Sequence, residues 1–124
     1  MARRVPTSWW VKFAEACRGI GSAWLGEINL RIHTAVAGAV IVAASVLGCE
    51  PWQWAILLLA IGMVFTAELL NTALERLFHA LDDGAKQRVQ GCLDVSAGAV
   101  LVAAMSAAAV GLVVFAPKLW ALVR

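Results

Sequence analysis

Charge is scarce in this chain. Asp, Glu, Lys and Arg make up 15% of 124 residues, the net charge is only +2, and hydrophobic residues make up 62%. A soluble domain is about 45–50% apolar, and a chain this short buries too little of its surface to hide such an excess. Lipid must cover part of it, in line with a mean hydropathy of +0.82. With so little net charge, and no basic run interleaved with aromatics, there is no footprint for nucleic acid. Cysteine is sparse too. Cys17, Cys49 and Cys92 are odd in number, well separated and without C-x-x-C spacing. That excludes a disulfide framework and a zinc site, and leaves three small apolar fillers. The basic start is followed by Trp9, Trp10, Lys12, Glu15 and Arg18 rather than by an uninterrupted apolar stretch, so no cleavable signal is expected. There is no P-loop, no G-x-G-x-x-G, no internal repeat and no low-complexity tract. A nucleotide site here would not be of the common soluble kinds.

What the chain has is helical periodicity in four segments. Over residues 5–25, Val5, Trp9, Phe13, Ala16, Ile20 and Trp24 recur three or four apart, with Lys12, Glu15 and Arg18 on the other side. This predicts an amphipathic helix lying at the membrane interface. A first span is expected over 30–49, ended by Glu50-Pro51. A second is expected over 52–80, with Trp52 and Trp54 as interfacial anchors and a cytoplasmic extension. Asp82-Asp83-Gly84 reads as a loop. A third span, rich in Ala, Gly and Ser, is expected over 94–116 and ends at Pro117. The fold class is therefore an all-α membrane protein, one domain over 1–124, with an N-terminal interfacial helix and three transmembrane helices.

Orientation follows from Lys and Arg. Arg3, Arg4, Lys12, Arg18 and Arg31 lie before or at the start of the first span, and Arg76, Lys86 and Arg88 lie between the second and third. The Glu50 turn has none. This places the N-terminus in the cytoplasm of a bacterial cell, in a multi-pass inner-membrane protein. Glu68, Asn71, Thr72 and Glu75 then share one helix face at the cytoplasmic end of the second span. Glu27, Asn29, Arg31 and His33 stand at the same level on the first span, and Asp94 on the third. Ionisable groups at such depth are costly and mark function. Four converging carboxylates need a positive partner. Magnesium takes carboxylate and amide oxygens and commonly arrives with nucleotide phosphates, and a carboxylate left without metal can accept a proton from an attacking hydroxyl. These are parts for phosphoryl transfer. The plainer reading is interhelical hydrogen bonding plus Asp94 as a helix N-cap. It serves for Asn71 and Thr72 but is poor for Glu68 and Glu75, because such bonding does not need two buried charges.

E-x-N-L-R-I-H (Glu27 to His33), A-E-L-L-N-T-A-L-E (Ala67 to Glu75) and D-V-S-A-G-A-V-L (Asp94 to Leu101) resemble the small prokaryotic diacylglycerol kinase family, which includes undecaprenol kinases. The resemblance implies a lipid kinase using magnesium and ATP as co-substrate, working as a homotrimer with sites shared between subunits. Its lipid acceptor would be diacylglycerol or undecaprenol, and the N-L-R-I-H string leans toward the polyprenol branch. By the same resemblance, Glu68 matches the catalytic base, Glu27 and Glu75 match ligands of the ATP-bound metal, and Asn71 and Asp94 match supporting residues of the nucleotide site. This chain departs from the family at Leu93, where a phosphate-contacting lysine is usual, at His79, usually acidic, and at Gly84-Ala85-Lys86, often E-Y-H. Lys86 or Arg88 replaces the missing cation, or is a solvated loop charge. Two rival functions remain open on the sequence: a catalytically impaired family member serving as a membrane scaffold, and a small proton-coupled transporter using Glu68.

Overall fold

The structure is a computed structural model that describes residues 8–124. Arg3 and Arg4, counted above for orientation, and residues 5–7 of the expected first helix lie outside the described residues. The described chain is helical with no strand: α1 Trp9–Gly26, α2 Ile28–Val46, α3 Pro51–His79, α4 Asp83–Arg88 and α5 Cys92–Val123. Three of these, α2, α3 and α5, are long and apolar enough to cross a membrane.

Single residues set the joints. Glu27 alone separates α1 from α2. Its backbone is extended (φ −116°, ψ 118°), and its N–H still donates to the Ala23 carbonyl at 2.9 Å. At the other end of α2, Gly48 takes φ +61°, the left-handed region where a Cβ is costly. This lets the Cys49 N–H reach back to the Ala44 carbonyl at 3.0 Å, a Schellman-type helix end. Glu50 and Gln53 then form a reciprocal capping box and Pro51 supplies the preset φ of a first helical position, so α3 starts at once.

Two expectations fail in detail. The Asp82–Gly84 segment is not only a loop. The Asp82 side chain accepts from the Ala85 N–H at 2.8 Å and starts the one-and-a-half-turn helix α4. Nor does Pro117 end the last helix, which runs on to Val123. Proline removes only one backbone bond here, and apolar surroundings with helical neighbours on both sides tolerate the loss. Past that proline, Lys118 Nζ donates to the Gly48 carbonyl at 3.2 Å, so the end of α5 lies beside the α2–α3 turn.

Most packing is between α3 and α5, with α2 resting more lightly on α3. The apolar core sits near the α2–α3 turn, where Ala44, Leu57 and Val114 are buried against Val40, Trp54 and Phe115. Elsewhere large apolar side chains point outward: Leu59 is 74% exposed, Val102 66% and Leu112 69%. Such a surface is stable only against hydrocarbon or against other helices. Cys49 packs on the core as a filler, whereas Cys17 and Cys92 are exposed, so the filler expectation holds for one of the three; all are free thiols.

Candidate functional site

At the opposite end from that core the bundle interior turns polar. Glu68, Asn71 and Thr72 on α3 and Ser96 on α5 are buried, with Glu68 only 4% exposed. At 1.5 Å per residue, Glu68 lies about 26 Å along the axis from Pro51 and Glu75 about 36 Å. A hydrocarbon core is about 30 Å thick. Measured from Pro51, Glu68 therefore lies within the length of helix that such a core can cover, and Glu75 beyond it.

Each of the other spans brings a partner to α3. From α2, His33 Nε2 stands 3.0 Å from Glu68 Oε1, an ion pair when the imidazole is protonated. From α5, the Ser96 hydroxyl donates to Asn71 Oδ1 at 2.7 Å, and Asn71 Nδ2 in turn donates to Glu75 Oε1 at 2.8 Å. Asn71 is thus oriented by Ser96 and holds one oxygen of Glu75, which leaves the other oxygen open. Among the described residues no buried side-chain nitrogen or oxygen lacks a partner.

Glu27 is half-buried at the α1–α2 joint. Its neighbour Gly26 lies against Arg76, the neighbour of Glu75: a Cβ at Gly26 would be 3.1 Å from Arg76 Nη2. The same guanidinium donates to the Ser22 hydroxyl and to the Ser22 carbonyl, each at 3.1 Å, and so ties α1 to the C-terminal end of α3. Trp24 Nε1 adds a bond to Thr34 Oγ1 at 3.0 Å, which fixes α1 against α2. The Gly26–Arg76 contact thus places the α1–α2 joint, where Glu27 stands, beside the turn of α3 that carries Glu75. Among the described residues no group of three His, Cys, Asp or Glu is close enough to hold a metal within one chain.

Asp94 is exposed in the first turn of α5, where its charge suits the helix N-terminus. It is not the N-cap, a position that Gly91 occupies. Lys86 lies on α4, and the turn before Cys92 separates it from α5, so Lys86 and Asp94 do not share a helix face. Arg88 is placed differently. It lines an open cleft of about 1430 Å³ between α3 and α5 that Asn71 and Ser96 also line, and Lys86 does not.

A second cavity, about 300 Å³, lies between α2, α3 and α5. Val36, Ala60, Phe65, Ala107 and Phe115 are typical of its walls, and His33 is its one polar lining residue. The residues that reading the sequence did not single out are His33, as the partner of Glu68, Ser96, and Arg76. His33 and Ser96 lay inside the family strings. Arg76 has no signal beyond adjacency to Glu75.

The family model for prokaryotic diacylglycerol kinase matches residues 14–115. The chain is 36% identical over 107 residues to the undecaprenol kinase of Bacillus subtilis, covering 86% of this chain and 87% of that one. It is 40% identical over 120 residues to the diacylglycerol kinase of Synechocystis sp., covering 90% of this chain and 65% of the other. No solved structure matches it significantly. With a family match over most of its length, and three spans whose polar ends meet around Glu68 and Asn71, the chain belongs to the prokaryotic diacylglycerol kinase family.

Proposed function

We propose that this protein transfers the γ-phosphate of ATP to the hydroxyl of a membrane lipid, diacylglycerol or undecaprenol, at the cytoplasmic face of the bacterial inner membrane. The observation that carries this reading is the placement of Glu68: a buried carboxylate near the polar end of a membrane-length helix, with Asn71 and Glu75 one to two turns further along. A lipid hydroxyl reaches that depth from the bilayer and ATP from the water. The family supports lipid kinase activity.

Glu68 is the base that takes the hydroxyl proton. Glu27 and Glu75 are the residues that would hold magnesium, and their chemistry fits it: two hard carboxylates suffice for an ion that keeps several waters and takes the rest of its ligands from phosphate. When bound, the ion neutralises charge on the phosphate oxygens. Asn71, oriented by Ser96, holds Oε1 of Glu75 and leaves the other carboxylate oxygen open to the ion. Asn71 and Asp94 form the nucleotide side of the site together with Lys86, or with Arg88, which the cleft geometry favours. The site is shared between subunits of a homotrimer, in keeping with the exposed apolar faces and with the lack of a complete metal cluster among the described residues of one chain. α1 lies in the interface as an amphipathic helix, held by the Arg76 clasp.

Purified protein in detergent, offered labelled ATP, magnesium and each lipid in turn, should phosphorylate at least one of them. A second reading, a scaffold without activity, rests on Leu93 in place of the usual lysine. It prevails if neither lipid is phosphorylated by the natural chain while Leu93→Lys creates the activity. A proton-coupled transporter fits less well, because Glu68 lies near one face rather than at the midplane.

The N-terminus is cytoplasmic and the C-terminus external, because the α2–α3 turn carries no Lys or Arg. A reporter that works only in the cytoplasm should be silent when fused after Arg124, and a strong signal there would reverse the topology.

A further inference from the structure

A general base must present one defined oxygen to the proton it removes, and a carboxylate on a long side chain has two equivalent oxygens and three torsions. In this protein that freedom is cut from one side only. Glu68 Oε1 faces His33 Nε2 at 3.0 Å, and among the described residues this is the one ion pair in the molecule. The pair joins two spans that otherwise pack lightly. Among the described residues neither side chain joins a second ion pair. The α5 wall of the adjoining cavity consists of small and apolar residues such as Ala104, Ala107 and Ala108. On α2 the residues one turn either side of His33 are Asn29, Leu30, Val36 and Ala37, none of them charged. The side chain of His33 is 27% exposed and that of Glu68 is 5% exposed, so the imidazole, not the carboxylate, is the member of the pair in contact with the surroundings.

We infer that His33 is a positioning residue for the phosphoryl transfer. Its Nε2–H holds Oε1, fixes the Glu68 rotamer, and leaves Oε2 as the oxygen that takes the proton. This rests on the assignment of Glu68 as base. In the step itself, the lipid oxygen bonds to the γ-phosphorus while its proton passes to Oε2. The bond from the γ-phosphorus to the bridging oxygen breaks, and ADP leaves with that electron pair. The proton on Oε2 is returned to solvent after product leaves. His33 gives up no proton in this scheme and serves as a fixed N–H donor. His33 is also the one polar residue lining the apolar cavity, so the partner of the carboxylate, not the carboxylate itself, borders that space.

The test compares His33→Ala, His33→Gln and Glu68→Gln in the purified full chain, reading kcat, the KM for ATP, and melting temperature. Misplacing a reacting group by about 1 Å costs up to roughly 100-fold. His33→Ala should therefore lower kcat roughly 10- to 100-fold while the KM for ATP stays within about twofold. Glutamine carries an amide N–H at similar reach but no titratable ring. His33→Gln should recover most of the lost kcat, which a merely structural or a proton-carrying histidine would not allow. If His33→Ala turns over like the natural protein while Glu68→Gln is dead, the positioning role is wrong and the base assignment stands. If folded Ala and Gln variants are equally slow, the N–H-donor role is wrong. If Glu68→Gln keeps full activity, the base assignment fails, and this inference with it.

Discussion

Glu68→Gln should lower kcat by about 10²–10⁴-fold, the usual worth of a positioned general base, while nucleotide binding is kept. The substitution is nearly isosteric and leaves the side chain in a buried slot beside Thr72 and Asn71, where Glu68 is 4% exposed. An amide there can still accept from His33, so the α2–α3 contact is not emptied. What it lacks is the basic oxygen. A lipid hydroxyl is a poor nucleophile until its proton has somewhere to go, and among the described residues no other carboxylate is buried. Glu75 is about two turns further out, with one oxygen engaged by Asn71. Turnover and nucleotide affinity, measured separately, check the expectation. Loss of both together would mean that Glu68 belongs to the metal or nucleotide side. Natural turnover would remove it from the chemistry.

The second large effect is expected at Glu27 and Glu75. Replacing either by Gln keeps shape and polarity but removes one of the two charges proposed to hold the ATP-bound ion. Phosphoryl transfer is catalysed almost wholly by positioning and charge neutralisation. A weakened ion therefore costs rate as well as affinity, by about 10²-fold or more if its loss resembles the loss of a preorganised electrostatic contact. Magnesium-dependent nucleotide binding should weaken in both variants, with the helical content and melting temperature of the natural chain retained. Unchanged affinity in both would exclude them from the ion site. Mixing decides where the site lies. Chains carrying Glu68→Gln and chains carrying Glu27→Gln should restore activity when co-assembled, if each site draws on two subunits. Mixed assemblies that stay dead would place the site within one chain.

Much of this was legible in the sequence, for reasons that differ by element. The spans follow from composition, because no other fold covers so much apolar surface in so short a chain. The acidic face of α3 follows from spacing alone, since Glu68, Asn71, Thr72 and Glu75 must share a side of any helix. What spacing cannot give is the pairing between helices. Nothing in the order of residues says that His33 meets Glu68, or that Ser96 rather than Thr72 orients Asn71. Those contacts depend on the relative rotation and height of packed helices. The reach of α5 beyond Pro117 escaped for a related reason. Proline stops helices in water, where the freed carbonyl finds a solvent partner, and the rule weakens where none is available. The helix α4 escaped because a single side-chain cap at Asp82 decides it. Arg76 escaped because its partners, the Ser22 hydroxyl and carbonyl, are 54 residues away in sequence.

One consequence follows from the joint at Glu27. Only a single extended residue separates α1 from α2, so the chain has no slack there: the swing of one rod against the other is carried by one pair of torsions. The residue that acts as pivot is also a carboxylate. A rotation of α1 against α2 turns on the Glu27 backbone and so changes where its side chain stands. The Arg76 clasp acts as the detent that resists it.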